Sequence, residues 1–99
     1  MDEVLEAICL AILHRRLVRF AYEGMPRTVE PFCCGASTAG KDVVRGYQTG
    51  GRSRSGEPVG WKLFDVSGIA DLTIVDAQFD YRSDYNPNDP SIVSIYCRV

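Results

Sequence analysis

The residues best suited to chemistry lie between positions 45 and 62. Arg45, Arg52, Arg54 and Lys62 fall there, with Tyr47 and Trp61 among them. Cationic side chains meet phosphate and aromatic rings stack on bases, so this mixture on a small β scaffold suits a nucleotide or single-stranded nucleic acid. Arg27, on an earlier strand, adds a further charge. The same pattern also arises when Tyr47 and Trp61 fill a core and the arginines are merely solvated.

The parts that most enzyme classes require are missing. His14 is the one histidine, and it falls near the end of a helix, where an imidazole more often meets the helix terminus than a substrate. No serine sits in a G-x-S-x-G elbow, and no histidine partners a cysteine at a recognisable spacing. Gly50-Gly51-Arg52-Ser53-Arg54-Ser55-Gly56 looks like a phosphate loop, but it lacks the G-x-x-x-x-G-K-[ST] order and no helix follows. Asp71, Asp76, Asp80, Asp84 and Asp89 are too scattered for an EF-hand loop. The expectation is a non-enzyme with no catalytic residues and no cofactor.

Cys9, Cys33, Cys34 and Cys97 form no C-x-x-C pair, and adjacent Cys33 and Cys34 are poorly placed to bond each other. Reduced thiols in a cytoplasm are therefore expected, with Cys9 and Cys97 acting as small hydrophobes. A zinc site combining them with His14 lacks ligand spacing, so no metal site is expected.

The chain has 99 residues, 45% of them hydrophobic and 24% charged, which fits one globular domain over 1–99. No apolar run is long enough to span a membrane, and the acidic start at Asp2-Glu3 does not read as a signal peptide. The net charge of −2 argues against a surface devoted wholly to DNA. Its distribution is uneven. Residues 41–62 carry five basic and two acidic groups, whereas residues 63–99 carry two arginines and six aspartates. The split suggests a local basic patch on an acidic body, or two solvated faces.

The elements that must position these groups follow from periodicity. Val4, Leu5, Ile8, Cys9, Ala11, Ile12 and Leu13 form one apolar stripe, predicting a helix over about 3–15 capped by Asp2. Leu17 to Tyr22 alternates as a strand, Glu23 to Pro26 turns, and Arg27 to Glu30 returns as its hairpin partner. Pro31 should end that strand or lie at an edge, and Phe32 to Ala36 reads as a short third strand. Asp42 to Gln48 is the next strand, with Val43, Arg45 and Tyr47 opposite Val44, Gly46 and Gln48. Thr49 to Pro58 reads as a mobile hairpin loop. Strands follow over Gly60 to Val66 and Ile69 to Phe79, then a turn-rich stretch over Asp80 to Ser91, then a closing strand over Ile92 to Val99. One helix and several short strands predict a mainly β (α+β) fold, a small, partly open barrel capped by the helix.

From Leu5 to Phe79 the chain resembles the WYL domain, a module of bacterial transcription regulators. Leu17-Val18-Arg19-Phe20-Ala21-Tyr22-Glu23-Gly24 looks like the family's v-x-f-x-Y-x-G strand, and Arg27-Thr28-Val29-Glu30-Pro31 like its R-x-V-x-P segment. Gly40 with the strand to Tyr47 looks like the central strand. Trp61-Lys62-Leu63-Phe64 with Ile69 resembles the F-R-l-d-R-I signature. The name-giving Trp-Tyr-Leu is replaced by Asp42-Val43-Val44, and the two signature arginines fall on Asp65 and Gly68. The resemblance implies an Sm/SH3-like β-barrel with a leading helix and a ligand-sensing role, with nucleotide or nucleic-acid effectors. With no helix-turn-helix ahead of it, the chain reads as a divergent stand-alone version from a bacterium or phage.

Two functions are thus expected. The first is a cytoplasmic, non-catalytic regulatory module binding a nucleotide or single-stranded nucleic acid. In it Arg27 and Arg45 supply charge, Tyr47 and Trp61 stacking surface, Arg52 and Arg54 a mobile clamp, and Lys62 a further cation. The alternative is a protein–protein or homo-oligomeric module that pairs through the exposed edge of the Ile92–Cys97 strand.

Overall fold

A computed structural model describes residues 2–99. Helix α1 spans Glu3–His14 and begins where the sequence predicts, with the Asp2 side chain accepting a hydrogen bond from the Leu5 amide at 2.8 Å. Such a cap contributes about 1 kcal/mol. The helix ends at Arg15, whose left-handed backbone (φ 52°) turns its amide back to the Ala11 and Ile12 carbonyls. Leu5, Ile8, Ala11 and Ile12 form the buried face. Leu13, expected on that stripe, is 73% exposed because it falls on the margin of the helix away from the sheet.

Six antiparallel strands follow in one sheet: β1 (Arg16–Tyr22), β2 (Met25–Ala36), β3 (Asp42–Gly51), β4 (Gly60–Asp65), β5 (Ala70–Gln78) and β6 (Ser94–Arg98). The order is β4-β3-β2-β1-β5, with β6 pairing β2 beyond the end of β1. The fold is mainly β, and the sheet does not close into a barrel. The β1–β2 turn is tighter than the four residues expected. Tyr22 pairs with Met25, leaving only Glu23 (φ 54°) and Gly24 (φ 74°) in the loop. Two left-handed residues match the twist of a hairpin, and glycine at the second carries no Cβ penalty.

Pro31 corrects the expected strand boundary. β2 runs straight through it, so Phe32–Ala36 is no separate third strand. Pro31 sits at a register slip against β3, between the residues that pair β1 (25–29) and those that pair β6 (33–36). A missing amide is tolerated at such a break in the ladders.

Alternation along β3, and along β2 on either side of its irregularity between Pro31 and Cys33, sends side chains to opposite faces, and each face has its own core. One core joins α1 to Val18, Phe20, Val29, Cys34, Val44 and Phe64. The other gathers Phe32, Cys33 and Val43 against Phe79, Tyr85 and Ile92 from the C-terminal segment, with Tyr47 and Trp61 packed beside them. Residues 79–92 therefore form a strap across the outer face of β2 and β3, where the sequence predicts only a turn-rich stretch over Asp80 to Ser91.

The cysteine expectation is also overturned. Cys9 and Cys97 form a disulfide that ties α1 to β6, leaving only Cys33 and Cys34 as free, buried thiols. The two bonded residues are 88 positions apart in sequence. Their meeting depends on β6 docking beside β2 under the helix, which no spacing rule shows.

Candidate ligand-binding site

β3 and β4 pair so that Arg45 faces Leu63 and Tyr47 faces Trp61. Alternation places Arg45, Tyr47, Trp61 and Leu63 on the outer face, toward the strap. The Tyr47 and Trp61 rings meet edge to face with centroids 5.4 Å apart, and Trp61 also contacts Phe32 at 4.9 Å and Tyr85 at 6.0 Å. Trp61 is thus half core and half wall, with Tyr47 packed beside it.

The strap brings acids to this basic and aromatic face. Arg45 Nε donates to Asp89 Oδ2 at 2.6 Å, and its Nη2 reaches Asp89 Oδ1 and Ser91 Oγ, both at 3.3 Å. The Asp89 side chain is only 8% exposed. The Arg45 guanidinium beside it, helped by the Ser91 amide, holds its carboxyl below the usual carboxylate range against the opposing effect of burial. The Trp61 indole donates to Asp84 Oδ2 at 2.9 Å. Arg82 lies over the Tyr47 ring at 3.6 Å and donates to Glu30 at 2.7 and 3.3 Å. Arg45 of the basic segment thus meets Asp89 of the acidic one, while Arg82 of the acidic segment reaches back to Glu30.

Between strap and sheet lies a cleft of about 270 Å³ lined by Arg45, Trp61, Asp84, Tyr85, Asn86, Asp89, Pro90 and Ser91. It combines an aromatic wall with hydrogen-bonding groups of both signs. The Tyr85 hydroxyl is buried beside Cys33, and burial pushes its ionisation up. Asp84, Tyr85, Asn86 and Asp89 were not among the expected site residues. Their signal was the acidic balance of residues 63–99, opposite in sign to that of 41–62.

The other expected site residues lie elsewhere. Arg27 is 4% exposed and belongs to the inner core. It donates to Glu23 at 3.1 Å and Gln48 Oε1 at 3.3 Å, and stacks over Tyr22 and Phe64 at 5.4 and 5.7 Å. Its burial follows from the two-residue turn, which pairs it directly with buried Phe20 across the hairpin. Arg54 donates to the same Glu23 at 3.2 Å, and Arg52 is exposed on the loop after β3. Lys62 alternates to the face opposite Trp61, and its ammonium donates to the Glu57 carbonyl at 2.6 Å. The structure thus brings Arg45 and Trp61 together at the cleft, packs Tyr47 against Trp61 outside its lining, gathers Arg27 and Arg54 around Glu23, and leaves Lys62 apart from both groups.

Neither family models nor curated proteins match this chain. Among solved structures it is similar to Proteasome accessory factor B/C (PafBC) of Arthrobacter aurescens, with a TM-score of 0.70 over 88% of this chain at 19% sequence identity. The likeness supports a WYL-like fold. The chain covers only 14% of the length of that protein, and at this identity the fold alone is shared. No helix among the described residues is long and apolar enough to cross a membrane.

Proposed function

We propose that the chain is a non-catalytic ligand-binding or regulatory module whose ligand is a nucleotide held at the Arg45–Trp61 cleft. The observation that carries this reading is the cleft's composition. The exposed part of the Trp61 ring offers a stacking face, while Arg45, Asn86 and Asp89 offer donors and acceptors suited to a base edge. Arg52 and Arg54, on the loop between β3 and β4, lie outside the cleft, Arg54 holding Glu23, so Arg45 is the cation that meets the ligand. Arg45 is already neutralised by Asp89, and Asp80 and Asp84 are exposed nearby on the strap. A long polyanion is therefore repelled, and a mononucleotide or short oligonucleotide is favoured over an extended strand.

Trp61 is the only tryptophan, so intrinsic fluorescence reports directly on the cleft. Titration with nucleoside monophosphates, cyclic dinucleotides and short oligonucleotides should quench it saturably. Affinity should fall only a few-fold between about 50 and 200 mM salt, because few phosphates are contacted. Absence of any change at millimolar nucleotide and low salt would remove this function.

A second reading, a homo-oligomer or protein partner, is favoured by β6. That strand is hydrogen-bonded to β2 on one side only, and Val93, Ile95 and Tyr96 around it are exposed. Light scattering across micromolar concentrations tests self-association, with a constant monomer mass counting against it.

A further inference from the structure

A second chemistry-bearing cluster lies on the opposite face of the sheet from the cleft. The sulfur atoms of Cys9, Cys34 and Cys97 all lie within 4.8 Å of one another. They come from three elements: Cys34 and Cys97 are direct partners across the β2–β6 ladder, and Cys9 reaches down from α1. Cys33, although adjacent in sequence to Cys34, belongs to the other core and is not part of the group.

We propose that Cys9, Cys34 and Cys97 form a three-thiolate site for a soft, thiophilic metal ion once the Cys9–Cys97 disulfide is reduced. The geometry is close to what such an ion requires. A metal–sulfur bond of about 2.3 Å places three sulfurs in a trigonal plane about 4 Å apart. The fold already holds all three within 4.8 Å of one another, and opening the one covalent bond lets the bonded pair move apart to that spacing. Two packed strands and a docked helix supply the ligands, so little chain ordering is left for the ion to induce.

Access and selectivity follow from the surroundings. A shallow cleft lined by Glu6, Cys9, Leu10, Leu13 and Cys97 opens on two of the sulfurs, with Cys34 buried behind them. Thiolate ligands in an apolar setting select soft ions such as Cu(I) or Cd(II) over Mg(II) and Ca(II), which prefer oxygen. The redox step balances with an external dithiol. Two electrons and two protons pass to the Cys9–Cys97 bond, giving two thiols, and the dithiol becomes a cyclic disulfide. Binding of the ion then displaces the thiol protons to solvent. The site therefore exists only in the reduced chain.

The test uses the 99-residue chain, reduced anaerobically, freed of reductant and titrated with Cd(II) alone. A thiolate-to-metal charge-transfer absorbance should saturate at one equivalent, with far-ultraviolet circular dichroism unchanged. Cys34→Ser should weaken binding by about tenfold or more, Cys33→Ser should leave it unaltered, and the oxidised wild-type chain should bind at least about tenfold more weakly than the reduced one. Equal binding by the oxidised and reduced chains would overturn the proposal. So would equal losses from Cys33→Ser and Cys34→Ser, which would point to unfolded thiols collecting the ion.

Discussion

Arg45 and Asp89 stand 44 residues apart in sequence and meet through two hydrogen bonds, at 2.6 and 3.3 Å. This pair fastens the acidic strap to the basic strand, and it forms one side of the cleft. It is half buried, so its two members are unequal: losing the arginine strands a carboxylate that is 8% exposed. Arg45→Ala should therefore destabilise the fold by about 2 kcal/mol, while Asp89→Ala leaves a cation with some solvent access and costs less. Urea unfolding of both single variants and the double variant measures this, and a coupling energy near zero would show the pair to be incidental.

The same carboxylate gives the pH dependence its sign. Asp89 has a folded pKa below its unfolded value, chiefly because of the Arg45 hydrogen bond. Its stabilisation is thus fully present above about pH 4, the unfolded carboxylate range, and is lost as pH falls through the lowered folded value. Denaturation midpoints measured from pH 7 down to 2 should fall less steeply in the acid range for Asp89→Asn than for wild type.

Reducing the Cys9–Cys97 disulfide frees a closed loop spanning nearly the whole chain. The expected loss is about 2–4 kcal/mol, which lowers the melting temperature by roughly 10–25 °C for a domain of this size. Thiol labelling gives an independent check. No cysteine should react in the native oxidised protein, since Cys33 and Cys34 are buried and burial pushes the Cys34 thiol up to about 12. Two should react after unfolding, and four after unfolding with reductant.

Gly35 marks where β6 and the end of the strap press against β2. A Cβ there would collide with the Ser94 carbonyl and the Ile92 side chain. Gly35→Ala should cost about 1–3 kcal/mol through overpacking, whereas a Cβ at Gly50 meets only ordinary contact with Thr28. Thermal melts of the two variants distinguish this steric account from a general loss of glycine.

Much of the scaffold was legible locally. The α1 stripe, its Asp2 cap and the alternation of β1, β3 and β4 all follow from nearest-neighbour periodicity. What escaped the sequence was long-range. Pro31 reads as a strand end unless it is known that β2 exchanges partners there. Cys9 and Cys97 read as separate hydrophobes until the strand beside Cys34 is placed. The cleft is half legible: Arg45 and Trp61 stand out by type, whereas their partners lie in a segment that reads only as turns. The opposite charge of the two segments was the physical cue, because unlike charges at this density tend to meet in a compact chain.

A nucleotide received at the Arg45–Trp61 cleft would sit against the one indole of the chain, whose N–H signal therefore reports its binding. In a ¹⁵N-edited proton spectrum, adding a nucleoside monophosphate should shift the Trp61 indole signal and the Asp89 and Ser91 amides along one saturable curve, leaving the Ile8 amide in α1 unmoved. An indole signal that stays fixed through millimolar nucleotide, with shifts absent or confined to surface arginines, would contradict nucleotide binding at this cleft.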